Sequence, residues 1–140
     1  MEVILPLPLE RNFTYAITAA EAQFIKPGFR VAVPFGKRNV YTGVVYKVHQ
    51  EAPTAYEAKS IHSILDKSSV LNFPQFKLWE WISSYYMCTM GEVLRASLPS
   101  VFLLESETLI SLNKSSEFES SSLSDEEYLV FEALQQQSSL

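Results

Sequence analysis

Three features of this chain predict a mainly β fold with some helix, a small barrel-like β domain covered by a C-terminal helix. Short alternating runs, punctuated by Pro and Gly, continue as far as Leu65. Helical apolar spacing begins only after Asn72. Gly43 interrupts the strongest strand run, as a bulge or tight bend in a small barrel requires.

Glu2 to Leu7 reads as a first short strand, closed by Pro6 and Pro8. Phe13 to Ile17 is the next, with Phe13, Tyr15 and Ile17 on one face. Ala19 to Phe24 has room for one helical turn. Pro27-Gly28 signals a turn before the strand Phe29 to Val33. There Val31 and Val33 alternate with Arg30 and Ala32, so one face can be buried. Pro34 has no N–H to give a sheet ladder and marks an edge or a strand end. Gly36 suits a strained turn, and Lys37 and Arg38 put two cations at its tip. The matching strand, Val40 to Val48, leaves that turn. A polar segment, His49 to Glu57, leads to a strand near Lys59 to Leu65.

Pro74 fits a first helical turn. Leu78, Ile82 and Tyr85 then lie at helical spacing, with Trp81 widening the stripe, so this helix is expected to cover an open face of the sheet. Met90-Gly91 reads as its interruption, Glu92 to Ala96 as a shorter helix, and Pro99 as the stop. The first domain is expected to span 1–105. Residues 106–140 read as a Ser- and Glu-rich linker, with a brief apolar contact at Leu109, Ile110 and Leu112, and then the truncated start of another domain. Ser124 is placed there as an N-cap with a capping-box acid, ahead of an amphipathic helix through Tyr128, Phe131 and Leu134.

Apolar residues make up 47% of the 140 and charged residues 19%, which excludes a disordered chain. The net charge of −5 is unevenly placed: residues 1–50 hold six cations against three carboxylates, whereas residues 106–140 hold one lysine against seven. A binding face answers to local charge, so nucleic acid stays open as a partner, although no basic stripe long enough to wrap a duplex is present. The lone cysteine, Cys88, rules out an internal disulfide and suits a reducing compartment. No signal peptide or membrane-spanning run is visible, so a cytoplasmic location without membrane partners is expected.

Signals for catalysis are poor. There is no phosphate-loop motif, no C-x-x-C, no H-E-x-x-H, and no catalytic or metal-ligand constellation around His49, His62, Cys88, Asp66 or Glu80. Phe29, Tyr46, Trp79, Trp81 and Tyr86 read as packing residues. Phe13 reads either as core or as a stacking platform. Lys37 and Arg38 form either a solvated hairpin tip or a site of phosphate contacts, and Arg30 snorkels from the sheet edge. Should Phe13, Gly36 and Lys59 converge, they would offer an aromatic wall, an open backbone and a cation, a combination suited to one terminal nucleotide. The main alternative is a small β-rich protein-interaction module using the Val40 to Val48 edge and the acidic tail.

Leu5-Pro6-Leu7-Pro8-Leu9, Phe13-Thr14-Tyr15, the run Lys26 to Lys37, Thr42 to Val45, Trp81 to Tyr86, Gly91 to Leu94 and Leu98-Pro99 occur in a specific order. With them the chain resembles the N-terminal region of the bacterial primosomal protein N-prime family of replication-restart DNA helicases. The resemblance covers about residues 2–105 and implies a non-catalytic domain that binds the 3' end of the nascent leading strand at a stalled or abandoned fork, positioning the helicase for primosome assembly. It implies that the 3'-terminal nucleotide is held at Phe13, Thr14, Gly36 and Lys59. It also implies that residues 106–140 begin a winged-helix domain. Thr14 departs from the family, which commonly has an aspartate there; threonine keeps hydrogen bonding but supplies no carboxylate. Implied partners are forked DNA and the remaining helicase domains, with other primosome proteins and single-stranded DNA-binding protein in the longer protein. No cofactor is expected for this fragment; ATP, Mg and Zn belong to the rest of an ATP-dependent 3'-to-5' helicase.

Overall fold

The computed structural model describes residues 1–104 and 124–136. The chain divides into two compact units, Met1–Ser106 and Glu107–Leu140. In the first, the strands are β1 (Glu2–Ile4), β2 (Phe13–Thr14), β3 (Arg30–Phe35), β4 (Asn39–Lys47) and β5 (Ser63–Ile64). Its helices are α1 (Ala19–Phe24), α2 (Phe73–Tyr86) and α3 (Met90–Ser97), followed by a 3-10 turn at Ser100–Phe102.

The strands form one antiparallel sheet in the order β2-β1-β4-β3-β5. This corrects the expected barrel, because the sheet is open. Its outer strands, β2 and β5, have two residues each, and between their flanks lies one isolated bridge, Ala16 with Ser60, instead of a closing ladder. Gly43 is no bulge either. It pairs in regular register with Val31, and a Cβ there would come within 2.3 Å of Val3 Cγ1. The glycine is needed for the close approach of β1; the register shift falls instead between Glu2 and Val3. The expected edge Val40 to Val48 lies mostly inside the sheet, since β4 is flanked by β1 and β3.

Alternation along the strands gives the sheet two apolar faces. Val3, Val31, Val33 and Val45 join Tyr15, Ile25 and Phe29 on one side. Ile4 and Val44 join Leu71, Phe76, Trp79, Val93 and Leu94 on the other. Each such side chain, fully buried, contributes roughly 1.5–3 kcal/mol. Pro34 lies within β3, opposite Val40, past the point where β5 stops pairing. Its carbonyl accepts a hydrogen bond from the Tyr15 hydroxyl at 3.2 Å.

Helix α2 covers a sheet face as expected, but of the expected stripe only Ile82 packs there, half-buried beside Phe76 and Trp79. Phe76 and Trp79 are buried, while Leu78, Trp81 and Tyr85 are 53%, 56% and 67% exposed. Tyr86 is exposed too, so Trp81 and Tyr86 are not packing residues. The buried side is set by where Leu71 and the Asn72 cap dock the helix, which spacing within the helix cannot reveal. Asn72 accepts from the Gln75 N–H, and Gln75 accepts from that of Asn72. The break between α2 and α3 comes at Met87, whose φ of 50° is left-handed, followed by the Thr89 cap. Gly91 lies inside α3, where a Cβ would meet the Leu7 and Leu5 carbonyl oxygens at 2.0 and 2.4 Å. Cys88 is a half-buried free thiol in the α2–α3 connection.

Arg30 does not snorkel. Its guanidinium bonds Asp66 at 2.6 Å and the Phe102 carbonyl at 3.2 Å, and lies 4.5 Å from the Phe102 ring centroid. Burial opposes the charge on Asp66, yet hydrogen bonds from the Arg30 side chain and backbone, with the attraction between the charges, hold its carboxyl below the usual range.

In the second unit, α4 (Asp125–Gln136) starts from the expected capping box: the Glu127 N–H donates to Ser124 Oγ and Glu127 Oε2 accepts from the Ser124 N–H. Leu134 is buried and Phe131 half-buried. The linker up to residue 123 and the contact at Leu109, Ile110 and Leu112 lie outside the described residues. Among the described residues, no helix is long and apolar enough to cross a membrane.

Candidate nucleic-acid interface

The β3–β4 hairpin turns through Gly36, Lys37 and Arg38, with Phe35 opposite Asn39. Gly36 has a φ of 70°, a conformation that suits glycine. A Cβ there would meet nothing within 4 Å, so the backbone faces open space. The segment before β5 folds back over this turn, and the Lys59 ammonium donates to the Gly36 carbonyl at 2.8 Å.

Phe13 and Thr14 reach the same place from β2. All four residues singled out in the sequence, Phe13, Thr14, Gly36 and Lys59, line one cleft of about 210 Å³. That volume suits a single ring or sugar better than a run of strand. Lys37 and Arg38 are exposed at the hairpin tip, outside the cleft lining.

The Phe13 ring is half-buried and packs edge-on against Phe35, with ring centroids 5.1 Å apart. It therefore serves the core and walls the cleft at once, so its two sequence readings are compatible. The Arg11 guanidinium carbon lies over the Phe13 ring, 5.8 Å from its centroid.

Five further residues line the cleft, Tyr15, Pro34, Phe35, Tyr56 and Glu57; sequence reasoning placed none of them in the site, and Tyr56 and Glu57 lie in a segment it read only as a polar connection. The Tyr56 ring centroid is 6.0 Å from that of Phe13, and its hydroxyl accepts the Thr14 N–H at 2.8 Å. Tyr56 is the one aromatic residue between His49 and Lys59, which was the available signal. Tyr15, also in the lining, has its phenol pushed up to about 12, first by burial and then by the proximity of Tyr56.

The cleft thus offers an aromatic wall, an open backbone, an ammonium and one carboxylate, Glu57. It holds no nucleophile–base pair. His62 is exposed, and His49 accepts from the Glu51 N–H at 3.2 Å. No group of three or more His, Cys, Asp or Glu poised for a metal occurs among the described residues.

Comparison with known proteins fits this geometry. The "Replication restart protein PriA" of Treponema pallidum (strain Nichols) is 29% identical over 104 residues, covering 71% of this chain and 16% of that protein. The protein of the same name from Buchnera aphidicola subsp. Acyrthosiphon pisum (strain APS) is 28% identical over 101 residues, 72% of this chain and 14% of the relative. The chain therefore spans about a sixth of the length of these curated relatives. The family model for the PriA 3'DNA-binding domain (3'BD) matches residues 2–99, which include the whole five-stranded sheet, helices α1 to α3 and every residue that lines the cleft, and the chain belongs to that family.

Proposed function

We propose that the cleft holds the 3'-terminal nucleotide of a DNA strand. In this reading Phe13 and Tyr56 border the base or sugar, the Gly36 backbone admits close approach, and Lys59 supplies a positive contact. The observation that carries it is the meeting of Phe13, Thr14, Gly36 and Lys59 in one small cleft at the hairpin turn. Lys37 and Arg38, exposed beside it, add phosphate contacts that salt weakens.

Thr14 contributes no charge, so Glu57 is the carboxylate facing the terminal position. A carboxylate accepts a hydrogen bond from a 3'-hydroxyl and repels a 3'-phosphate. The wider reading follows from the family and the relatives' names. The chain is a non-catalytic part of a longer replication-restart protein that takes the 3' end of the nascent leading strand at a stalled fork and so positions a helicase for primosome assembly. Residues 1–105 form the end-binding domain, and residues 106–140 link it to the start of a winged-helix domain. The other helicase domains, primosome proteins and single-stranded DNA-binding protein are partners of that longer, cytoplasmic protein.

The test is a salt-titrated binding measurement with a fork bearing a leading-strand 3'-hydroxyl and the same fork bearing a 3'-phosphate. Tighter binding of the hydroxyl end is expected. Equal affinity for the two ends, from a folded sample, would refute the terminal pocket.

A further inference from the structure

At the opposite end of the β3–β4 hairpin from the cleft, two grooves adjoin. One, of about 680 Å³, is lined by Lys26, Lys47, Lys77 and Phe73, among others. The other, of about 330 Å³, shares Lys26 and adds Lys67 and Phe24. Lys26, Lys47 and Lys67 are exposed and make no ion pair among the described residues. Lys77 is held by Glu80 at 2.7 Å, and Glu80 also accepts from the Tyr46 hydroxyl at 2.6 Å. Glu80 is the one carboxylate in either lining. Glu2, the register partner of Lys47, accepts from Asn12 at 3.0 Å. Three ammonium groups outside any ion pair among the described residues thus line these grooves on a chain whose net charge is −5, with Glu2 the one carboxylate at the register position of Lys47. Phe73, 72% exposed, and Phe24, 47% exposed, lie beside them.

We infer that this lysine-lined surface is a second nucleic-acid contact, which takes the sugar–phosphate backbone of DNA apart from the terminal nucleotide. Lysine ammonium groups are point charges that engage phosphates without reading bases. Here they are spread along two grooves, which matches the repeated phosphates of a strand better than a single anion. The flanking rings suit sugar or base faces. The inference rests on the family's DNA binding and does not need the terminal-nucleotide assignment. Along β4, from Asn39 to Lys47, the two surfaces are about 26 Å apart at roughly 3.3 Å per residue. That is the length of about seven or eight base pairs.

The test uses the whole chain, a labelled fork with a free 3'-hydroxyl, and the same fork with a 3'-phosphate. A Lys26→Ala/Lys47→Ala double variant should bind the fork about tenfold more weakly near 0.1 M salt, with a salt slope shallower by about 2. Its ratio of hydroxyl to phosphate affinity should match that of the unmodified chain. A Lys26→Arg/Lys47→Arg variant should keep most of the affinity, and near-ultraviolet circular dichroism verifies the fold of both. Unchanged affinity and slope in the alanine variant would overturn the inference and leave an acidic protein as the fitting occupant. Should the unmodified chain bind both ends equally while the lysine-dependent slope persists, the terminal cleft fails and this surface stands.

Discussion

The backbone N–H of Thr14 donates to the Tyr56 hydroxyl at 2.8 Å, across 42 residues of sequence. This bond ties the long polar segment before β5 to the short strand β2. With the Lys59–Gly36 bond, it closes the cleft around the hairpin turn.

Tyr56→Phe removes that acceptor and keeps the ring. A net hydrogen bond contributes about 0.5–1.5 kcal/mol to folded stability, so thermal melting should fall by a few degrees. Affinity for a 3'-hydroxyl end, read by fluorescence anisotropy, should also fall, because the loop carrying Tyr56 is no longer tied to β2.

Phe13→Ala should weaken end binding by about 1–3 kcal/mol, the usual contribution of one stacked base. Trp81→Ala, on the exposed face of α2, should leave end binding near the unmodified value. The comparison needs circular dichroism of both variants, because Phe13 also packs on Phe35. Unchanged end binding by a folded Phe13 variant would remove its role in the cleft.

Glu57→Gln should narrow the discrimination between ends. It removes the repulsion of a 3'-phosphate while keeping an acceptor for the hydroxyl. Competition between the two forks measures the ratio, which should move several-fold towards one. A ratio that stays the same assigns the discrimination to shape alone.

Gly91→Ala should destabilise the first unit by about 3 kcal/mol, at the upper end for overpacking, because the new methyl would press on the Leu5 and Leu7 carbonyls. The clash is with backbone, which cannot rotate away. Urea unfolding measures the loss, and a midpoint equal to that of the unmodified chain would contradict the tight docking of α3 on the β1 exit.

Asp66 supplies the pH dependence. Its folded pKa lies below the ordinary 3.8, so its pairing with Arg30 contributes fully above about pH 4 and is lost as the pH falls through the lower folded value. Asp66→Asn should therefore cost about 1–3 kcal/mol at pH 7 and progressively less below pH 4. Urea titrations at pH 7 and pH 3 read the difference. An equal gap at both values would mean that the carboxylate charge is not what Arg30 requires.

Sequence by itself determined the features that depend on near neighbours. The β3–β4 hairpin, α1 and the Ser124 cap all follow from residues within a few positions of one another. So does the family, because its motifs are short segments in a set order. Tertiary structure decided what depends on distant partners. The sheet stays open because its outer strands have two residues each, and Gly43 serves the approach of β1 instead of a bend. Helix α2 buries Phe76 and Trp79 because its docking sets which side meets the sheet; Trp81 and Tyr85 share the apolar spacing but face outward. Arg30 was legible as a cation, and only folding brought Asp66 and Phe102 to it. The cleft divides in the same way. Phe13, Thr14, Gly36 and Lys59 came from the family resemblance, with Lys59 outside its motif segments, while Tyr56 and Glu57 entered through a loop whose path local propensity does not encode.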